Sequence, residues 1–329
     1  MVSSSCKRFA SKIAVGMTQY QPHRQRIVSF LRFHNKNPTA VGIRQHRQAS
    51  SLIIPPQELV QFHHDERTKV GNITLGGKAK MNPFTMELGY QFKSTVKEIN
   101  QAIANQTIDV NAIVLQGANG CFSAGGDIQW LKDLRHNPVH INADKMMEFF
   151  HTFLCVRKLS VPVIASIEGY AVGAAACVAC ACDIRVMEKH AKMGFNFTKL
   201  GFSGGMGGSH FLPMLVGEGK AAEILLTGKM IAGEEAKDIG LVQRVIENKK
   251  GDEVYRESLN VAEEISLLHP VAVRNLMQTL RLRLDTGLEA ALKREAHAAS
   301  LCFARDDWGE GLDAIVEKRK PSFGIYHDD

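Results

Sequence analysis

VPVIASIEGYAVGAAACVACACDIRV, residues 161–186, decides the architecture. Val163 to Ile167 is a short apolar run of the kind that fits a strand buried on both faces. Glu168-Gly169 ends it. Gly173 to Ala181 reads as a helix of small residues, and Ile184 to Met187 as the next strand. Strand, glycine turn, helix and strand together are a unit of an α/β fold. The turn from Glu168 to Ala175 presents backbone N–H groups at a helix N-terminus, where partial positive charge favours an anionic oxygen.

Upstream, AIVLQGANGCFSAGGDI (residues 112–128) has the same grammar. A buried strand is predicted over Val110 to Leu115 and a glycine-rich turn over Gly117 to Gly126. Asp127 caps the short helix IQWLKDL. Either turn alone is a tight connection that needs small residues. Two N–H groups converging from separate turns would make an oxyanion hole. Neither turn carries the Gly-Lys-Ser/Thr of a P-loop, and no G-x-G-x-x-G follows the first strand, which argues against those nucleotide sites.

Further out, Val70 to Leu75 alternates as a strand, and Pro83 is expected to open a helix running to about Ala104, with Met86, Tyr90, Val96, Ile99 and Ile103 on one stripe. A helix is expected from about Ala143 to Lys158. Beyond a glycine-rich loop, Gly201 to Gly208, come helices at about 208–215, 220–226 and 233–239 and a last strand, Val242 to Ile246. From Asp252 the pattern is helical almost to Lys320, broken at His269-Pro270 and Thr286-Gly287. The chain thus divides into a leader (1–57), an α/β core (58–250) and a helical region (251–329). No fixed-period repeat is present.

Composition agrees. The chain has 329 residues, 45% of them hydrophobic, enough for one substantial core. No run approaches the roughly 18 apolar residues of a membrane-spanning helix. The formal charge of +6 is uneven. Residues 1–57 hold nine Lys or Arg and no acid; removing these nine from 40 leaves 31 basic against 34 acidic residues, a net −3 for the rest. A basic, acid-free, Ser-containing leader is the composition of a transit peptide and points to the mitochondrial matrix. A nucleic-acid-binding arm is the alternative. RQRIVSFLR (24–32) would form its amphipathic turns, and RQHRQASS (44–51) a processing region.

Of seven cysteines, Cys177, Cys180 and Cys182 crowd into one apolar run. With no fourth ligand at suitable spacing they are not a zinc site, and no metal is expected. They act as small hydrophobes.

Together these segments resemble the crotonase (enoyl-CoA hydratase/isomerase) superfamily. Besides 112–128 and 161–186, Lys80-Met81-Asn82 looks like that family's turn before its first helix, and LLTGKMIAGEEAKDIGLVQRVI (225–246) and AIVEKRKPSF (314–323) look like its downstream segments. The resemblance spans about residues 60–323. It implies an α/β fold, the ββα spiral of the ClpP/crotonase class, with a C-terminal helical trimerisation region. It also implies a homotrimer or homohexamer and an acyl-CoA ligand, with coenzyme A as part of the substrate and no separate cofactor. By the same resemblance the backbone N–H groups of Ser123 and Ala174 form the oxyanion hole. Lys80, Ala124, Gly125, Asp127 and Ile128 run along the CoA, and Lys320 and Phe323 reach towards a neighbour's CoA.

The departures are chemical. The family's two glutamate positions fall on Cys177 and Phe197, neither of which can serve as a carboxylate base. A third position used in one branch, after Gly204-Gly205, is Met206. Glu148, His151 and His210 are the candidate substitutes for the missing acid or base. Asp127 and Asp183 read as a cap and a turn residue. Three functions follow: an enoyl-CoA hydratase or isomerase of acyl-CoA metabolism; a catalytically weak or inactive binder of CoA thioesters; or, through Arg274, Arg281, Arg283, Lys293 and Arg294, an RNA-associated or structural protein. The last is disfavoured because acids and leucines interrupt the basic set.

Overall fold

The computed structural model describes residues 57–77 and 79–324. The leader segments 24–32 and 44–51, and Cys6, lie outside the described residues.

Two sheets carry the site. The larger has six strands: β1 (Val60–Asp65), β2 (Val70–Leu75), β3 (Ala112–Gly117), β4 (Val163–Ile167), β6 (Ile184–Glu188) and β9 (Arg244–Ile246), in the order β1-β2-β3-β4-β6-β9. β1 and β2 are antiparallel and every later pair is parallel. The smaller sheet is β5 (Tyr170–Val172), β7 (Lys192–Gly194) and β8 (Met230–Ala232), in that order. β4 lies in one sheet and β5 in the other, and α4 (Ala174–Ala181) follows at once. The step β6 to β7 repeats the move. Strand, strand and helix therefore advance together.

The apolar runs are continuous because the large sheet is covered on both faces. Ile113 and Leu115 face one core with Phe92, Val96 and Ile99 of α1 (Met86–Ala104). Ala112 and Val114, the alternate positions, face a second core with Val254, Val261 and Ala262 of α8 (Glu253–Ser266). Each fully buried aliphatic side chain of this kind contributes roughly 1.5–3 kcal/mol. The helical region is thus part of the sheet's own packing. In it, α9 spans Pro270–Asp285, α10 spans Leu288–Phe303 and α11 spans Asp306–Val316. α10 lies along α3 (Val139–Phe153), and α11 lies against α2 (Ile128–Asp133).

Some boundaries differ from expectation for local reasons. The first helix begins at Met86, not Pro83, because Thr85 is the cap: its hydroxyl accepts from the Leu88 N–H at 3.1 Å. Phe84 instead bridges to Gly126, with its N–H donating to the Gly125 carbonyl at 2.7 Å. The helix expected over 143–158 starts at Val139, ends at Phe153 and tightens into a 3-10 turn over Leu154–Lys158. β1 and the short strands β5 and β8 are not predicted by the pattern, and for β5 and β8 three residues are too few for a periodic signal.

Of the candidate RNA-contacting residues, Arg283, Lys293 and Arg294 are exposed and Arg274 is half-buried, but one is withdrawn from the surface. Arg281 is buried. Its Nε donates to Asp183 at 2.8 Å and its other nitrogens to the carbonyls of Arg157, Leu159 and Val161. Asp183 is therefore an ion-pair partner in the core as well as a turn residue, and it also accepts from the Val163 N–H at 2.8 Å.

Candidate active site

The two glycine turns meet. Ser123 bridges to Ala171, so the first turn is laced to β5. The Ser123 N–H donates to the Tyr170 carbonyl at 2.8 Å, and the Ser123 carbonyl accepts from Val172 at 3.1 Å. The next donor, the Ala124 N–H, is held by the Met81 carbonyl at 2.8 Å. The Gly125 N–H is held by the Ser123 hydroxyl at 3.0 Å. Three donors in succession are spent. The Gly126 N–H has no protein partner among the described residues, and Gly126 lines the adjoining cavity.

This corrects the sequence reading of the first oxyanion donor. Ser123 cannot offer its N–H, because the strand bridge uses it; the donor left over is Gly126. Its position just before the helix cap Asp127 was the available signal. Ser123 still matters, since its buried hydroxyl fixes the turn. Asp127 is the cap expected, its carboxylate accepting from the Trp130 N–H at 2.8 Å.

Ala174 is the first residue of α4, where an N–H has no intrahelical acceptor. Gly173 before it has φ 56° and ψ −118°, a conformation open only to glycine, and contributes no side-chain cap. The two turns stand close. A Cβ added to Gly125, at φ +100°, would lie 2.6 Å from the Val172 carbonyl oxygen and 3.9 Å from the Ala174 nitrogen. The Gly126 and Ala174 N–H groups therefore flank one cavity of about 270 Å³.

The cavity is apolar. Its walls include Phe149, Phe150, Phe197 and Met206, and Leu312 and Ile315 of α11 close one side. Phe197 is buried and meets Phe202 edge-on at 5.3 Å. Ala124, Gly125 and Ile128 line the cavity with Gly126. Cys177 is fully buried behind the wall, its Sγ donating to the Gly205 carbonyl at 3.5 Å. Desolvation pushes its thiol well above the ordinary range, so it is neither base nor nucleophile. Burial likewise pushes Cys180 and Cys182 up to about 12.

The candidate substitutes for an acid or base are not brought to this cavity. Glu148 accepts from the Tyr90 hydroxyl at 2.7 Å on the surface. His151 pairs with Glu289 at 2.9 Å, also exposed. His210 bonds the Leu284 carbonyl at 2.6 Å. The buried carboxylate nearby, Glu295, is occupied: it accepts from the Gly207 N–H at 2.7 Å, the Ser209 N–H at 3.0 Å and the Ser209 hydroxyl at 2.6 Å. Among the described residues, no carboxylate or histidine lines the cavity, and its one polar side chain is Asn196, which the sequence reading passed over; the signal was a lone amide between Phe195 and Phe197.

Lys80 lies elsewhere, exposed, in a second cavity with Met81, Asn119, Cys121 and Tyr170. Lys320 is exposed, and Phe323 packs over Gly201 on its own chain. No group of His, Cys, Asp and Glu among the described residues could hold a metal ion.

The arrangement can polarise a carbonyl and stabilise an enolate in a dry pocket, but it holds no group to shuttle a proton. Residues 65–325 match the family model described as enoyl-CoA hydratase/isomerase. The probable enoyl-CoA hydratase of Mycobacterium leprae is 32% identical, over 79% of this chain and 96% of that protein. The human mitochondrial methylglutaconyl-CoA hydratase is 31% identical, over 87% of this chain and 83% of that protein. The solved structure of enoyl-CoA hydratase from Bacillus halodurans superposes with a TM-score of 0.68 at 25% identity, covering 78% of this chain and 99% of that one.

Proposed function

The chain belongs to the enoyl-CoA hydratase/isomerase family, the crotonase superfamily, and from that premise we propose that it binds acyl-CoA thioesters and grips the thioester oxygen between the Gly126 and Ala174 N–H groups. One observation carries the reading: two unpaired backbone donors from separate turns converge on one apolar cavity. The thioester carbonyl sits between them and the acyl chain runs along Phe149, Phe150 and Phe197. Negative charge that develops on the oxygen is stabilised there, in a water-poor site, where such a donor is worth roughly 3–4 kcal/mol.

Hydration is a different matter. A positioned acid or base supplies about 10²–10⁴-fold. With Cys177 and Phe197 at the glutamate positions, water addition is slow. The protein is a thioester-binding and thioester-polarising member of the family, of mitochondrial acyl-CoA metabolism. The acid-free basic leader supports that location, as does a relative described as mitochondrial. It assembles as a homotrimer or a pair of trimers.

Calorimetric titration with butyryl-CoA and with free CoA tests the binding. The thioester is expected to bind more tightly than CoA, which lacks the carbonyl; no thioester binding would overturn the proposal. Crotonyl-CoA hydration, followed beside a relative that carries both glutamates, is expected to be slower by about 10²-fold or more.

A further inference from the structure

An apolar acyl pocket has no need of an amide. Asn196 nevertheless lines this one, opening the 3-10 turn Asn196–Leu200 between the buried rings of Phe195 and Phe197. Among the described residues it is the only polar side chain lining the cavity. No protein group among the described residues hydrogen-bonds its amide. Its place is close to the carbonyl end of the cavity. Its Oδ1 stands 3.8 Å from where a Cβ on Gly173 would be, and Gly173 immediately precedes the Ala174 donor.

An amide so placed has two fates when a ligand enters. Against a plain hydrocarbon chain it loses its water and gains nothing, and an unpaired buried polar group is costly. Against a chain bearing an oxygen it regains a partner, donating through Nδ2 or accepting through Oδ1. A site built to hydrogen-bond a ligand oxygen rejects the analogue that lacks it far more strongly than an apolar site rejects a small change in bulk.

We propose that Asn196 is a specificity residue that selects acyl thioesters carrying a hydroxyl or oxo group close to the thioester carbonyl, over plain acyl chains of the same length. The inference rests on the acyl-CoA reading above. It assigns Asn196 no proton transfer, since an amide does not titrate near neutral pH. The ligand oxygen lies within a few bonds of the carbonyl, because the amide borders the residue next to the Ala174 donor.

The test is calorimetric binding of 3-hydroxybutyryl-CoA and butyryl-CoA to the wild-type chain, to Asn196→Leu and to Asn196→Ala. The wild type is expected to prefer the hydroxylated thioester by about tenfold or more. Both variants are expected to lose most of that preference, binding the hydroxylated ligand more weakly and butyryl-CoA at least as tightly as the wild type does, because no amide is then left unpaired against the plain chain. Retained butyryl-CoA binding is also the control for folding, and two variants of different bulk guard against a packing artefact. Equal wild-type affinities, or a preference that both variants retain, overturn the assignment of Asn196 while leaving thioester binding intact. Failure of the wild type to bind either ligand overturns the acyl-CoA reading itself.

Discussion

At Ala174 a single N–H can be removed with little disturbance to the helix behind it. It is the first residue of α4, a position where proline is tolerated because its missing N–H has no intrahelical acceptor. Ala174→Pro should therefore weaken butyryl-CoA binding by about tenfold or more while leaving free CoA binding unchanged, since only the thioester offers the carbonyl oxygen. Equal loss of both ligands would show that the turn, not the donor, had been damaged. The cysteines make a second prediction at the same scale. A thiol alkylates as its thiolate, and burial raises the pKa of Cys177, Cys180 and Cys182, so these stay protonated through neutral and mildly alkaline pH. Brief iodoacetamide treatment of the native protein at mildly alkaline pH should spare all three and, among the described cysteines, reach half-buried Cys302 first; peptide mapping after denaturation should find all four labelled. This is also where the sequence was readable only in part. It placed Ala174 at a helix start and Cys177 and Phe197 at the family's two glutamate positions, but it left Glu148, His151 and His210 open as substitutes. It did not distinguish Ser123 from Gly126, because which N–H in a glycine turn stays unpaired depends on which neighbouring strand takes the others.

Among elements, the loop from Gly204 to Gly208 gives Gly205 and Met206 to the cavity wall and leads into α5 (Gly208–Val216), and a carboxylate from the far end of the chain holds the junction. Glu295, on α10, accepts two backbone N–H groups and a hydroxyl at the N-terminal turn of α5. Nothing local announced this pairing, since 88 residues separate Glu295 from Gly207. The helices themselves were legible, because their apolar stripes repeat over several turns. Glu295→Ala leaves those donors buried without a partner, at about 1–3 kcal/mol, which for a domain of this size is a fall of roughly 2–10 °C in the melting temperature. Scanning calorimetry checks it, and an unchanged melting temperature would mean that water replaces the carboxylate freely. Gly125→Ala probes the turn facing this wall. At φ +100° and with its Cβ 2.6 Å from a carbonyl oxygen, the added methyl cannot be housed without moving β5 away from the turn. Thioester affinity should fall with the spacing of the two donors, and a variant that binds butyryl-CoA as the wild type does would contradict the close apposition of the turns.

At the scale of the whole molecule, α9 carries large apolar side chains that the described residues leave exposed. α9 buries little beyond Met277 and Arg281, whereas Val271, Leu276, Leu280 and Leu282 on it are each more than half exposed. Leu267 and Leu268, just before it, extend the patch at 86% and 58% exposure. Leu276 and Leu280 share one side of α9, and Val271 and Leu282 the other, flanking the buried Met277 and Arg281; exposed apolar residues in such number mark an interface more often than an ordinary surface. The proposed trimer supplies the cover: a closed ring presents the same patch from each copy to a neighbour, leaving none free. α8 and α10 are bound to their own chain by the two cores, and among the described helices of this region α9 carries the most exposed large apolar side chains. Leu276→Lys combined with Leu280→Lys puts two charges on this face at positions already 62% exposed, so the monomer's own packing loses little. Sedimentation equilibrium of the wild type at micromolar concentration should give three or six chain masses, and the double variant should give one. The variant should also melt lower, because a subunit that loses its partners loses the stabilisation that association adds. A wild type that sediments as a single chain across that range would remove the trimer from the proposal and leave the patch to another occupant.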